Sequence, residues 1–113
     1  MSGIEFEDLL QDLFKKLGHL VVKTPVSGDQ GADLIIKKGG EKIAVQAKRY
    51  SKPVTNKAIQ EAVAATKHYK CDRAMVITTS KFTKSARQLA SSNNVELWDG
   101  NKLNKVLKDI ITH

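Results

Sequence analysis

Apolar residues recur along the chain in two periods, and the changes of period mark its elements. From residue 4 to 17, Phe6, Leu9, Leu10, Leu13, Phe14 and Leu17 follow i, i+3, i+4, i+7, i+8, i+11 spacing. That is one stripe of an amphipathic helix. Lys15, Lys16 and Gly18 mark its end, because cations suit the negative end of the helix dipole and glycine accepts the left-handed turn beyond it. His19 to Thr24 reads as a strand, followed by Pro25 and the turn-rich Ser27-Gly28-Asp29-Gln30-Gly31. Asp33 to Lys48 then reads as a β-hairpin. Two runs rich in Ile, Val and Leu flank Gly39-Gly40, a pair suited to a two-residue turn at positive φ. With these glycines as the loop, Lys38 faces Glu41, Lys37 faces Lys42, Ile35 faces Ala44 and Asp33 faces Gln46. Alternation puts Asp33, Ile35, Lys37, Ala44, Gln46 and Lys48 on one face. Leu34, Ile36, Ile43, Val45 and Ala47 take the other, which is wholly apolar and must be core.

Residues 55–69 predict a second helix with Ile59, Ala62, Val63, Thr66 and Tyr69 inward. Residues 73–79 are too apolar to alternate, which suits a strand covered on both faces. Thr83 is placed to cap a third helix running to about Ser92. Val95 to Trp98 is a short last strand, and Asp99-Gly100-Asn101 turns into a last amphipathic helix with Leu103, Val106, Leu107, Ile110 and Ile111. The order α-β-β-β-α-β-α-β-α predicts an α/β fold. Its sheet is mixed, antiparallel at the hairpin and parallel across the β-α-β crossovers, with helices on both faces. At 113 residues the chain reads as one domain over 1–113.

Composition narrows the function classes. No apolar run reaches membrane-spanning length. Cys71 is the lone cysteine, which rules out an internal disulfide and a cysteine-based zinc site. The acidic, amphipathic start lacks the basic n-region of a secretory leader, so a cytoplasmic setting is expected. His19, His68 and His113 lack metal-ligand spacing. The net charge of +7 is unevenly spread: −3 over residues 1–33, +10 over residues 34–94 and zero over the rest. A basic middle segment points to a polyanion, nucleic acid first.

The hairpin brings Asp33, Gln46 and Lys48 together where two strands end. A carboxylate beside an amide oxygen can hold Mg²⁺, which wants hard oxygen ligands and keeps several waters. A lysine one pleat on, roughly 7 Å along the strand, can hold an attacking water or stabilise charge developing on phosphate. Ordinary polar residues on a solvated strand face make the same short pattern, so both readings stay open on the hairpin alone. Glu7 lies in line with Leu10 and Phe14, on the border of the first helix's stripe, where it can reach over the edge of the layer beneath. Arg49-Tyr50-Ser51-Lys52-Pro53 leaves the strand that carries Lys48, so Arg49, Tyr50 and Lys52 are candidates for phosphate contact. Lys81, Lys84 and Arg87 cluster at the start of the third helix, where the dipole also favours an anion. Asp29 is a further candidate ligand, or the closer of an Asx-turn.

Taken in order, these pieces resemble the Mrr-type catalytic domain of restriction endonucleases, within the PD-(D/E)xK nuclease superfamily. The resemblance is carried by Gly3-Ile4-Glu5-Phe6-Glu7, Gly28-Asp29-Gln30-Gly31-Ala32-Asp33, and Val45-Gln46-Ala47-Lys48-Arg49-Tyr50. Thr78-Thr79-Ser80-Lys81-Phe82-Thr83 with Ala86, and Leu97-Trp98-Asp99-Gly100, complete it. It implies a restriction-endonuclease-like three-layer αβα sandwich and metal-dependent hydrolysis of DNA phosphodiesters, with Mg²⁺ as cofactor and Mn²⁺ as a substitute. It also implies Asp33, Gln46 and Glu7 as metal ligands and Lys48 as the catalytic lysine. Many members of the superfamily have glutamate where this chain has Gln46. A neutral amide is the poorer ligand, so the helix acid Glu7 matters more here. Mrr-type enzymes usually add a DNA-recognition domain, and none is read in these residues. A Holliday-junction-type or other structure-specific nuclease, and a non-cleaving DNA-binding module on the same fold, are therefore the alternatives. Cutting both strands would favour a homodimer.

Overall fold

The computed structural model describes residues 3–24 and 32–112. Its elements follow the expected order: α1 (Gly3–Lys16), β1 (Leu20–Lys23), β2 (Leu34–Lys38), β3 (Glu41–Lys48), α2 (Asn56–His68), β4 (Arg73–Thr78), α3 (Lys84–Ser92), β5 (Val95–Trp98) and α4 (Gly100–Thr112). The strands form one mixed sheet in the order β1-β2-β3-β4-β5. β1, β2 and β3 are antiparallel, and β3, β4 and β5 are parallel. Each parallel step is crossed by one helix, as a βαβ unit requires.

Gly39 and Gly40 make the hairpin turn at φ of +58° and +82°. The register beyond them is the expected one, with Lys38 against Glu41, Lys37 against Lys42 and Ile35 against Ala44. The two faces separate accordingly. Leu34, Ile36, Ile43 and Val45 pack with Phe6, Leu10, Leu13 and Phe14 of α1 and Leu103 of α4. Ile35 and Ala44 pack instead with Ala65 of α2. α2 and α3 cover that second face together, through Ala58, Ile59, Ala62, Ala86 and Ala90 against Ala74 and Val76. Small side chains on α2 let its axis come close to the sheet, which matters below. The result is three layers, α1 and α4 on one side and α2 and α3 on the other. β4 is buried from Ala74 to Thr78, as its unbroken apolar run requires. No described helix is long and apolar enough to cross a membrane.

Two caps set the far ends. Thr83 accepts the Ala86 N–H at 3.1 Å and starts α3. Asp99 accepts the Lys102 N–H at 2.8 Å in the first turn of α4. Both lie beyond the C-terminal ends of the parallel strands, the end at which open α/β sheets bind ligands.

Candidate active site

Gln46 and Lys48 stand two residues apart on β3, so both point to the α2 face. Gln46 is 4% exposed. Its amide Nε2 donates to Glu61 Oε2 on α2 at 3.0 Å. The Lys48 ammonium lies 3.8 Å from the same oxygen and 5.6 Å from the ring centre of Tyr50. Glu61 thus joins the expected pair and was not foreseen from sequence. The predicted stripe of α2 holds Ile59, Ala62, Val63, Thr66 and Tyr69. The buried line keeps Ile59 and Ala62 but continues through Ala58 and Ala65, with Val63, Thr66 and Tyr69 half-buried, so it is rotated toward Glu61, which stands three residues from Ala58 and four from Ala65. One signal was available. Glu61 is the single acid between Glu41 and Asp72, within the most basic part of the chain.

Asp33 departs from the expected position. The regular ladder ends with Leu34 against Val45, and the Asp33 N–H donates to that same Val45 carbonyl at 2.8 Å. Two residues set against one is the count of a β-bulge, which re-aims a side chain. Asp33 is therefore not the direct cross-strand partner of Gln46. Its Oδ2 accepts the Ala47 N–H at 2.7 Å. A strand N–H lies in the plane of the sheet, so the carboxylate occupies that plane rather than the Gln46–Lys48 face. The physical reason is that the β2–β3 ladder ends, among the described residues, at Leu34. Beyond Leu34, β2 no longer offers an acceptor there, and the aspartate side chain supplies one.

Burial raises the Asp33 pKa, while the Ala47 N–H and the Lys48 charge act to lower it. Glu7, on α1 in the opposite layer, also has a raised pKa. Burial is the main cause and the charge of Asp33 the next, opposed by Lys23 at 4.0 Å. The charge of Asp33 thus reaches Glu7 across the end of β3, and each acid is harder to ionise than an exposed carboxylate.

The remaining atom is the Gln46 amide oxygen. It is buried and has no hydrogen-bond partner among the described residues. No group of three or more His, Cys, Asp and Glu suited to a metal occurs among those residues. A cation here would rest on two carboxylates, the amide oxygen of Gln46 and water, a donor set that fits Mg²⁺. Asp29 lies outside the described residues.

The basic segments line one edge beside this end of the sheet. Arg49, Tyr50 and Lys52 are exposed and, with Ser51, Pro53 and Thr55, line a cleft of about 470 Å³. Their loop is tied to the one after β4. The Val54 N–H donates to the Lys81 carbonyl at 2.8 Å, the Thr83 N–H to that of Val54 at 3.0 Å, and the Thr79 hydroxyl to that of Tyr50 at 3.2 Å. Lys81 and Lys84 are exposed. Arg87 donates to the Phe82 carbonyl at 3.1 Å and lines a separate cleft with Glu96, Trp98 and Lys102, so it is set toward β5.

Comparison with known proteins bears on the family and the fold. A family model described as restriction endonuclease, the Mrr catalytic model, matches residues 1–107. The chain is 35% identical over 112 residues to the type IV methyl-directed restriction enzyme EcoKMrr of Escherichia coli (strain K12), covering 91% of this chain and 37% of that protein. It therefore spans little more than a third of that relative. The DNA modification-dependent restriction endonuclease AspBHI has a TM-score of 0.76 at 21% identity, over 93% of this chain and 30% of its own. A repair endonuclease from Pyrococcus abyssi gives 0.65 at 14% identity, over 88% and 46%. At such identities these two are likenesses of fold.

Proposed function

The chain belongs to the Mrr-type family of restriction endonuclease catalytic domains, and from that membership we propose that it is a metal-dependent endodeoxyribonuclease domain hydrolysing phosphodiester bonds at the end of β3. What carries the assignment is the Gln46 amide oxygen, buried without a partner, one residue from the Ala47 N–H that holds Asp33. A buried acceptor left unpaired costs about 1–3 kcal/mol. An ion or an ordered water that completes it is one explanation for such an atom, and its place beside Asp33 favours the ion.

We assign Asp33, Gln46 and Glu7 to a Mg²⁺ ion, with Mn²⁺ as a substitute. Such an ion supplies Lewis-acid polarisation of the scissile phosphate and a water of lowered pKa. The chain does the rest. Lys48 holds the attacking water or the charge developing on the phosphate oxygens. The Ala47 N–H keeps Asp33 in place, and Glu7 closes the site from the opposite layer. Arg49, Tyr50, Lys52, Lys81 and Lys84 hold DNA phosphates along the basic edge, with Arg87 an outlying contact. Phosphate contacts position a duplex and carry no sequence information. Cutting both strands would take two such sites, as a two-fold dimer provides.

Nicking of supercoiled plasmid in Mg²⁺, in Mn²⁺ and in EDTA tests this. Nicking with metal and none in EDTA is expected. DNA retention without nicking under any condition would replace the proposal with a binding module, and no retention would reject both.

A further inference from the structure

We propose that Glu61 is a positioning residue that fixes which end of the Gln46 amide meets the metal. This rests on the metal reading above. A glutamine at a ligand position has a weakness that glutamate lacks. Its two ends are nearly alike in shape but opposite in chemistry, one an acceptor oxygen and the other a donor NH₂. Half a turn about the last side-chain bond would aim two N–H groups at a cation. A chain that offers a glutamine as a ligand therefore needs a selector.

Glu61 has the geometry of one. Its Oε2 lies 3.0 Å from the inner end of the amide. A carboxylate paired with a lysine offers acceptors only, and Lys48 is 3.8 Å from the same oxygen. Whatever faces Glu61 must therefore donate, and of the two ends only nitrogen can. The opposite end is then oxygen, and it is that oxygen which is buried and unpartnered. Burial at 4% exposure keeps solvent from offering the amide a competing arrangement. The close approach of α2 through Ala58, Ala62 and Ala65 brings the carboxylate within reach. One side chain thus orients an amide and holds the adjacent ammonium.

The test swaps the two groups. Glu61→Gln puts at position 61 an amide that both donates and accepts, so Gln46 loses its preferred sense. Gln46→Glu offers oxygen at both ends but sets two carboxylates about 3 Å apart, which opposes ionisation of the pair. The double variant Gln46→Glu/Glu61→Gln restores one acid and one amide with their places exchanged. Mn²⁺ binding is measured by titration calorimetry without DNA, with Asp33→Ala as the control and melting temperature as the check on folding. Wild type should bind and Asp33→Ala should not. Glu61→Gln should weaken binding by roughly 10–100-fold, the usual loss for an outer partner of a ligand. Gln46→Glu should also be weak, and the double variant should recover to within a few-fold of wild type.

If wild type binds no Mn²⁺, or Asp33→Ala binds it as well, the metal reading itself fails. If wild type binds and Glu61→Gln binds equally, the selector role is overturned while the metal reading stands. If the double variant is as weak as Glu61→Gln, Glu61 acts as a ligand or only as the partner of Lys48, and the inference is again overturned. Should Glu61→Gln not fold, Gln46→Glu against the double variant decides alone, since the inference requires weak binding in the first and recovery in the second.

Discussion

Asp33 has one job in this structure and a second in the proposed site, and a pair of substitutions separates them. Its Oδ2 accepts the Ala47 N–H at 2.7 Å, and under the proposal its charge is offered to the metal. Asp33→Asn keeps an acceptor of the same shape and removes the charge. Asp33→Ala removes both and leaves a half-buried N–H unsatisfied, at a cost of about 1–3 kcal/mol. With ~2.1 cal/mol/K of unfolding entropy per residue, 113 residues correspond to about 4 °C per kcal/mol. Asp33→Ala should therefore melt about 4–12 °C below Asp33→Asn. Neither should nick DNA at a measurable fraction of the wild-type rate. The comparison with wild type adds a pH signature. Burial raises the Asp33 pKa above its unfolded value, so the folded state holds the proton more tightly. The stability this brings is complete below the unfolded pKa and is lost as pH rises through the raised folded value. Without metal, Asp33→Asn should then gain on wild type as pH climbs across that window. Added Mg²⁺ should raise the melting temperature of wild type alone. The assays are calorimetric melts from acid to neutral pH, with and without Mg²⁺, and single-turnover nicking of supercoiled DNA. Equal melting of the two variants would refute the hydrogen-bond role, and wild-type nicking by Asp33→Asn would refute the ligand role.

Lys48→Ala should slow single-turnover cleavage by about 10²–10³, the usual loss of one charge-stabilising contact, while Mn²⁺ affinity by calorimetry changes little; an unchanged rate would remove Lys48 from the chemistry. Lys81→Ala with Lys84→Ala should weaken DNA binding alike for all sequences and reduce the slope of log affinity against log salt by about 0.9 per lost contact, read by fluorescence anisotropy in EDTA; an unchanged slope would clear that edge of DNA. Thr83→Ala removes the oxygen that receives the Ala86 N–H and should cost about 1 kcal/mol, a drop of about 4 °C in melting temperature. Gly100→Ala places a Cβ 2.5 Å from the Thr79 carbonyl oxygen, a backbone contact with no room to yield, and should cost about 1–3 kcal/mol by overpacking; a melting temperature equal to wild type would show that the loop bearing Lys81 moves freely.

Local physics determined most of this fold in advance. The stripe of α1, the two-residue turn at Gly39-Gly40, the unbroken run of β4 and the cap at Thr83 are each a matter of neighbours within a few residues. Period, turn residues and cap chemistry therefore sufficed to place them. The pairing of Ile35 with Ala44, and the shared face of Gln46 and Lys48, followed from the turn alone because a hairpin propagates its register outward. Propagation stops where the ladder does. At Asp33 the regular ladder of the described residues is over, and periodicity does not encode whether a side chain or a backbone group then meets the Ala47 N–H. Glu61 illustrates the same limit. The stripe of α2 blurs because alanines occupy several sides of the helix, so its rotation is set by how closely it settles on the sheet. Only that settling brings Glu61 to Gln46 and Lys48, fifteen and thirteen residues back in the chain. From sequence, Gln46→Glu looks like a simple return to the commoner ligand. In the folded protein it opposes a carboxylate 3.0 Å away, because tertiary packing, and not residue type, decides which charges share a site.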